Sequence, residues 1–265
     1  MQQARAARVD RLDAQLLLSH LTGQPRAWLL AHDDAVLDAA QATQYAAQLA
    51  RRAVGEPLAY VIGEQPFRGL ALRTSSAVLI PRPETELLVE WALELLPEDT
   101  CAEVADLGTG SGAIALAIAH ARPRARVCAS DASDAALAVA RANAQRHGLA
   151  RVEFVGGDWW APLAGCRFDM AVSNPPYIAG DDPHLAALGH EPRGALTPEG
   201  DGLDALRRIV KGALAHLKPG AWLLLEHGHD QADAVQTLLA GQGLQDIHTR
   251  GDLAGLARCT GARRR

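Results

Sequence analysis

From Pro83 to the end of the chain, the apolar positions change period again and again. Helical spacing over Glu84 to Leu96 gives way to a short apolar run at Ala102 to Leu107, and the alternation then repeats. Helices follow at Ala113 to Ala121 and Asp134 to His147, with strands at Arg126 to Ser130, Arg151 to Val155 and Phe168 to Ser173. A helix over Leu203 to Leu217, a strand at Ala221 to Glu226, a helix at Gln231 to Leu239 and two β segments, Leu244 to Thr249 and Leu256 to Thr260, complete the series. Strands alternating with helices predict a doubly wound α/β sheet.

The first sixty or so residues follow the helical period alone. Val9, Leu12 and Leu16 recur at helical spacing before Gly23, Asp38 is placed to cap a second helix running through Arg52, and Pro57 opens a third over Leu58 to Ile62. Trp28 and Tyr45 read as packing residues. The β-favouring runs Phe67 to Leu72 and Ala77 to Ile80, separated by Arg73-Thr74-Ser75-Ser76, predict a hairpin. The chain thus divides into a small helical domain over residues 1–64, a β-hairpin linker over 65–82 and an α/β domain over 83–265.

Composition acts mainly by exclusion. At 265 residues and 48% hydrophobic, the chain can bury a sizeable core. Its net charge of -5 argues against a broad phosphate-binding surface, so no direct nucleic-acid partner is expected. Cys101, Cys128, Cys166 and Cys259 are scattered without a C-x-x-C pair, which suits buried thiols in a reducing cytoplasm rather than a disulfide framework or a zinc site. No apolar stretch is long enough to span a bilayer and the N-terminus lacks a signal-peptide core, so the expected location is cytoplasmic, with no membrane partner. His227 and His229 flank Gly228 without a third ligand, and no metal site is expected. Arg263-Arg264-Arg265 reads as a solvated tail.

The candidate chemistry sits at strand ends. Gly108-Thr109-Gly110-Ser111-Gly112 joins the first α/β strand to its helix, where glycines let a ligand approach the backbone at a helix N-terminus. The spacing is G-x-G-x-G rather than the dinucleotide fingerprint, and Asp106 precedes it. A carboxylate there disfavours an anionic ligand and suits a cationic one such as S-adenosylmethionine. Asp131 ends the second strand about twenty residues on, where a carboxylate can accept both ribose hydroxyl hydrogens. Asp158-Trp159 follows the third, the carboxylate facing an adenine amino group and the indole packing on the ring.

Asn174-Pro175-Pro176-Tyr177 closes the strand at Phe168 to Ser173. The prolines fix the backbone and supply no donor, so the ledge presents acceptors. The Asn174 side-chain oxygen and the Pro175 carbonyl can both accept from one planar NH2 group while Tyr177 stacks on its flat face. That suits a neutral amide or an exocyclic amine as nucleophile.

Together, the elements from Asp106 to Tyr177 resemble the class I S-adenosylmethionine-dependent methyltransferases, a Rossmann-like fold with a mostly parallel sheet and an antiparallel C-terminal strand. Further segments narrow the likeness: Leu79-Ile80-Pro81-Arg82-Pro83-Glu84-Thr85-Glu86, Asn174 through Ile178, Glu191-Pro192-Arg193-Gly194-Ala195-Leu196 with Asp201-Gly202-Leu203, and Asp252 through Arg258. These look like the HemK-type glutamine methyltransferases, over nearly the whole chain. Arg68 departs from the family, which often has a second aromatic there.

The resemblance implies methylation of the Gln side-chain amide in the Gly-Gly-Gln loop of bacterial class 1 peptide chain release factors, with S-adenosyl-L-homocysteine as product. It implies Gly108, Thr109, Gly110, Ser111 and Gly112 as the cofactor loop, Asp131 at the ribose, and Asp158 and Trp159 near the adenine. Asn174, Pro175, Pro176 and Tyr177 would hold the glutamine, with Asn174 also beside the cofactor. Glu84, Thr85 and Glu191 fall near the pocket rim without an assigned step. A ribosomal-protein glutamine methyltransferase would share these motifs, and a nucleic-acid amine methyltransferase would reuse the ledge. The acidic balance and 4% aromatic content speak against the latter.

Overall fold

The computed structural model describes Ala4, residues 7–99 and residues 101–265. The chain forms two compact units that divide between Glu64 and Gln65.

The first unit is helical: α1 (Arg11–Thr22), α2 (Arg26–Ala31), α3 (Ala39–Ala53) and α4 (Leu58–Ile62). Asp38 accepts from the Gln41 amide while the Gln41 side chain returns to the Asp38 amide, a reciprocal cap that fixes where α3 begins. Leu17, Tyr45, Leu49 and Val61 meet in its core, and the Tyr45 hydroxyl donates to the Ala14 carbonyl at 3.3 Å. The short α2 was not expected. Pro25 opens it, and its Trp28 stacks on His32, the residue that caps its end, with ring centroids 4.3 Å apart.

The hairpin falls earlier than the sequence predicts. Its strands are β1 (Glu64–Phe67) and β2 (Leu70–Arg73), and residues 77–80 form no strand. Arg68 and Gly69 both take positive φ, 47° and 79°, so the turn is the tight two-residue kind that matches strand twist. Phe67, Leu70 and Leu72 enter the α/β core, and Arg73 exchanges two backbone hydrogen bonds with the Asn143 amide. The hairpin is therefore an integral part of the second unit.

That unit continues with α5 (Thr85–Leu95), β3 (Glu103–Leu107), α6 (Ala113–Ala121), β4 (Arg126–Asp131), α7 (Asp134–Arg146), β5 (Glu153–Gly156) and β6 (Phe168–Ser173). It closes with α8 (Asp204–His216), β7 (Leu217–Glu226), α9 (Ala232–Gly241), β8 (Gln245–Gly251) and β9 (Ala257–Arg263). The sheet order is β5-β4-β3-β6-β7-β9-β8, parallel from β5 to β7, with β9 antiparallel to both its neighbours. Strand period two sends Val104, Met170 and Val172 to one face and Ala105, Leu107 and Ala171 to the other, and both faces are covered by helices.

The order reverses at β3, which lies between β4 and β6. Ligands bind beyond the carboxyl ends of strands at such a switch point. There the Ser173 hydroxyl donates to the Leu107 carbonyl at 2.6 Å, joining the ends of β6 and β3.

Candidate active site

The loop after β3 is shaped by its backbone. Gly108 and Thr109 amides donate to the Ser130 carbonyl at 2.8 and 3.0 Å, and the Gly110 amide donates to Asp131 Oδ2 at 2.8 Å. Gly108 has φ 72°, and a Cβ there would lie 3.0 Å from the Trp159 ring, so only glycine allows the indole to close over the loop. Gly112 plays another part: it starts α6 against Leu116 and Ala140 and does not line the cavity.

Asp106 also lies behind the loop. It is fully buried, accepting from the Thr109 hydroxyl at 2.6 Å and the Ala115 amide at 3.1 Å, and burial raises its pKa to about 7. It braces the loop against α6 instead of facing a cationic ligand, which corrects the role read from sequence.

A cavity of about 380 Å³ opens over this loop, lined among others by Gly108, Ser111, Asp131, Trp159, Asn174 and Pro176. Asp131 Oδ1 accepts from the Ser133 amide at 2.9 Å, so both its oxygens are held from the protein side. Trp159 takes φ 49°, its carbonyl accepts from the Ser130 hydroxyl, and its indole N–H is buried without a partner among the described residues. Asp158 lines the rim, where Arg208 of α8 pairs with its carboxylate.

A second cavity of about 280 Å³ adjoins it, lined among others by Asn174, Pro175, Pro176, Tyr177, Glu226 and Arg258. Asn174 and Pro176 line both. Asn174 Nδ2 donates to Thr85 Oγ1 at 3.0 Å, which turns its Oδ1 the other way. The Tyr177 hydroxyl donates to Glu226 Oε1 at 3.3 Å, and its carbonyl accepts from Gln231 at 2.9 Å. Gly202 passes so close that a Cβ would lie 2.3 Å from that carbonyl. The ledge is thus gripped from α5, β7, the loop before α8 and the loop between β7 and α9.

Glu191 lines neither cavity but ties together two segments that do. Its side chain is buried, paired with Arg82 and accepting from the Ile80 amide at 3.0 Å. This clasps the segment before α5 to the segment after β6. Glu226 and Arg258 were missed in the sequence reading. The signal was present in Glu226, a carboxylate that ends the apolar run Leu223-Leu224-Leu225 at the switch-point side of the sheet. His227 is buried, its ring nitrogens bonded to the Gly228 carbonyl and the Thr260 hydroxyl. The terminal arginines are not a loose tail: Arg263 belongs to β9, and the Arg264 guanidinium donates to the Leu214 carbonyl at 2.5 Å.

Residues 84–202 match the family model of the methyltransferase small domain, and residues 2–63 that of the PrmC N-terminal domain. The release factor glutamine methyltransferase of Bordetella pertussis is 52% identical over 256 residues, covering 96% of this chain and 94% of the relative. That of Xylella fastidiosa (strain Temecula1) is 53% identical over 259 residues, covering 97% and 94%. Among solved structures, a methyltransferase from Pyrococcus furiosus superposes with a TM-score of 0.56 at 16% identity, covering 74% of this chain and 89% of that one. The last likeness bears on the fold alone.

Proposed function

The chain belongs to the family of release factor glutamine methyltransferases, and from that premise we propose that it transfers a methyl group from S-adenosylmethionine to the side-chain amide nitrogen of the Gln in the Gly-Gly-Gln loop of class 1 release factors. The observation that carries this reading is the position of Asn174, which lines both cavities: one is bordered by the glycine loop, Asp131 and Trp159, the other by the Asn-Pro-Pro-Tyr ledge.

The first cavity fits S-adenosylmethionine by its donors and acceptors. Asp131, fixed by two backbone amides, offers its remaining lone pairs to ribose hydroxyls. Trp159 contributes a flat apolar face and an unused buried donor. Gly108, Thr109, Gly110 and Ser111 supply the close backbone approach, with Asp158 at the rim. When bound, S-adenosylmethionine supplies an electrophilic methyl group.

The amide nitrogen is a weak nucleophile, so the protein's task is positioning. Asn174 Oδ1 and the Pro175 carbonyl accept from the substrate NH2, hold its nitrogen toward the first cavity and stabilise positive charge as it develops there. Pro175 and Pro176 keep those acceptors rigid. Tyr177 stacks on the amide plane, and the departing proton goes to solvent. The helical unit serves to dock the release factor. The enzyme works in the cytoplasm, where termination takes place; no helix among the described residues is long and apolar enough to cross a membrane.

The test is to incubate the protein with labelled S-adenosylmethionine and, separately, purified class 1 release factors, ribosomal proteins and nucleic acid. Label in the Gly-Gly-Gln loop supports the reading. Label confined to a ribosomal protein or to nucleic acid overturns it.

A further inference from the structure

The contacts described for the first cavity serve a nucleoside and leave the other end of S-adenosylmethionine, an amino-acid tail that carries a carboxylate, without a partner. Among the described residues that line this cavity, Arg82 is the only one with a cationic side chain. It also borders the second cavity, as Asn174 does, and so stands where the two adjoin. The charged groups otherwise on the lining are the carboxylates of Asp131 and Asp158, which repel an anion.

Arg82 is held in place from two sides. Pro81 and Pro83 restrict its backbone, and its carbonyl accepts from the Thr85 amide at 3.1 Å at the entry to α5. Its Nη2 pairs with Glu191, whose side chain is 2% exposed, while the Arg82 side chain keeps 32% exposure. A guanidinium is a planar fork of five donors, so a carboxylate on one nitrogen leaves donors for a second ligand. Nε and Nη1 of Arg82 have no partner among the described residues. The Glu191 charge also balances the cation, which would otherwise repel a sulfonium from this end of the cavity.

We propose that Arg82 is a cofactor-binding residue that holds the carboxylate of the S-adenosylmethionine amino-acid tail, with Glu191 orienting its guanidinium. The assignment rests on the reading of the first cavity as the S-adenosylmethionine site. The carboxylate lies only a few bonds from the sulfur, so this contact also helps to hold the sulfonium methyl at the junction where Asn174 presents the substrate amide.

The experiment is calorimetric titration of the full-length protein with S-adenosylhomocysteine and with its decarboxylated analogue, which keeps the nucleoside, the sulfur and the amine. It needs no turnover. The wild type should bind S-adenosylhomocysteine at least about tenfold more tightly than the analogue, the effect of a hydrogen bond between charged groups. Arg82→Met should erase that preference, losing at least about tenfold in affinity for S-adenosylhomocysteine and nothing for the analogue. Arg82→Met alone leaves the Glu191 charge buried and unpaired, so the variant is also combined with Glu191→Gln, which carries no charge and can still accept from the Ile80 amide. The same loss of preference is expected there.

A wild type that binds both ligands equally well, or variants that keep the wild-type preference, would overturn the assignment. So would equal weakening of both ligands in the double variant, which marks Arg82 as a support of the cavity wall, or a raised KM for release factor with the preference intact, which puts its guanidinium on the protein substrate. If the wild type binds neither ligand, the cofactor reading beneath the assignment fails, and the assignment with it.

Discussion

The backbone amide of Gly110 donates to Asp131 Oδ2 at 2.8 Å, tying the glycine loop to the end of β4. With Ser133 holding the other oxygen, the carboxylate is oriented before any ligand arrives, and little ordering cost remains at binding. Asp131→Ala should therefore weaken S-adenosylmethionine at least about tenfold, since a hydrogen bond to a charged group contributes roughly 1.5 to 3 kcal/mol. Calorimetric titration measures this directly. Unchanged affinity would remove Asp131 from the ribose.

The Arg82–Glu191 clasp acts on stability. Glu191→Ala leaves the buried Ile80 amide without its acceptor and Arg82 without its partner, and should cost about 1.5 to 3 kcal/mol. A lowered urea midpoint with an unchanged m-value would show it. A midpoint equal to that of the wild type would mean that this junction is held by other contacts.

Asp106 gives stability a pH dependence of definite sign. Its pKa rises from 3.8 in the unfolded chain to about 7 in the fold, so between those values the folded state binds more protons. Its contribution is complete below about 4 and is lost as pH rises through 7. Asp106→Asn keeps the shape and can still hydrogen-bond Thr109 and Ala115 without carrying charge. Denaturant titrations at pH 5 and pH 8 should differ less for this variant than for the wild type, with Glu226 acting in the same direction as Asp106 and His227, its pKa lowered by burial, in the opposite one. An undiminished difference would contradict the assignment.

Much of this architecture is legible in the chain because local signals agree with the tertiary outcome. The bounds of α4, α6 and β6 follow from Pro57, from the glycine loop and from Asn-Pro-Pro, each of which starts or stops an element through its own backbone chemistry. Where strand content was misplaced, the turn depended on Arg68 adopting a positive φ, which no residue type there announces. Asp106 reads as ligand-facing because sequence order cannot tell which face of β3 a side chain takes. Arg264 reads as solvated because its carbonyl partners, Leu214 and Leu217, lie far away in the chain. Glu226 and Arg258 escaped for the same reason: they reach the second cavity only once β7 and β9 meet behind the ledge.

The helical unit precedes a domain that holds both cavities. A chain starting at Gln65 should keep its affinity for S-adenosylmethionine and lose most of its methylation of intact release factor. Calorimetry and label incorporation on the same preparation separate the two effects. Undiminished transfer would show that docking does not require the helical unit.

The central claim is that Asn174 and its neighbours aim an amide nitrogen, and label transfer to paired substrates tests it most directly. Asn174→Ala should lower turnover by about 100- to 1,000-fold, as does loss of one preorganised hydrogen-bonding group at a reacting centre, with cofactor affinity changing far less. A release factor whose Gly-Gly-Gln glutamine is replaced by glutamate offers no NH2 and should take up no label in that loop. Methyl incorporation into the loop of the glutamate-bearing factor, or full activity of Asn174→Ala, would contradict amide positioning.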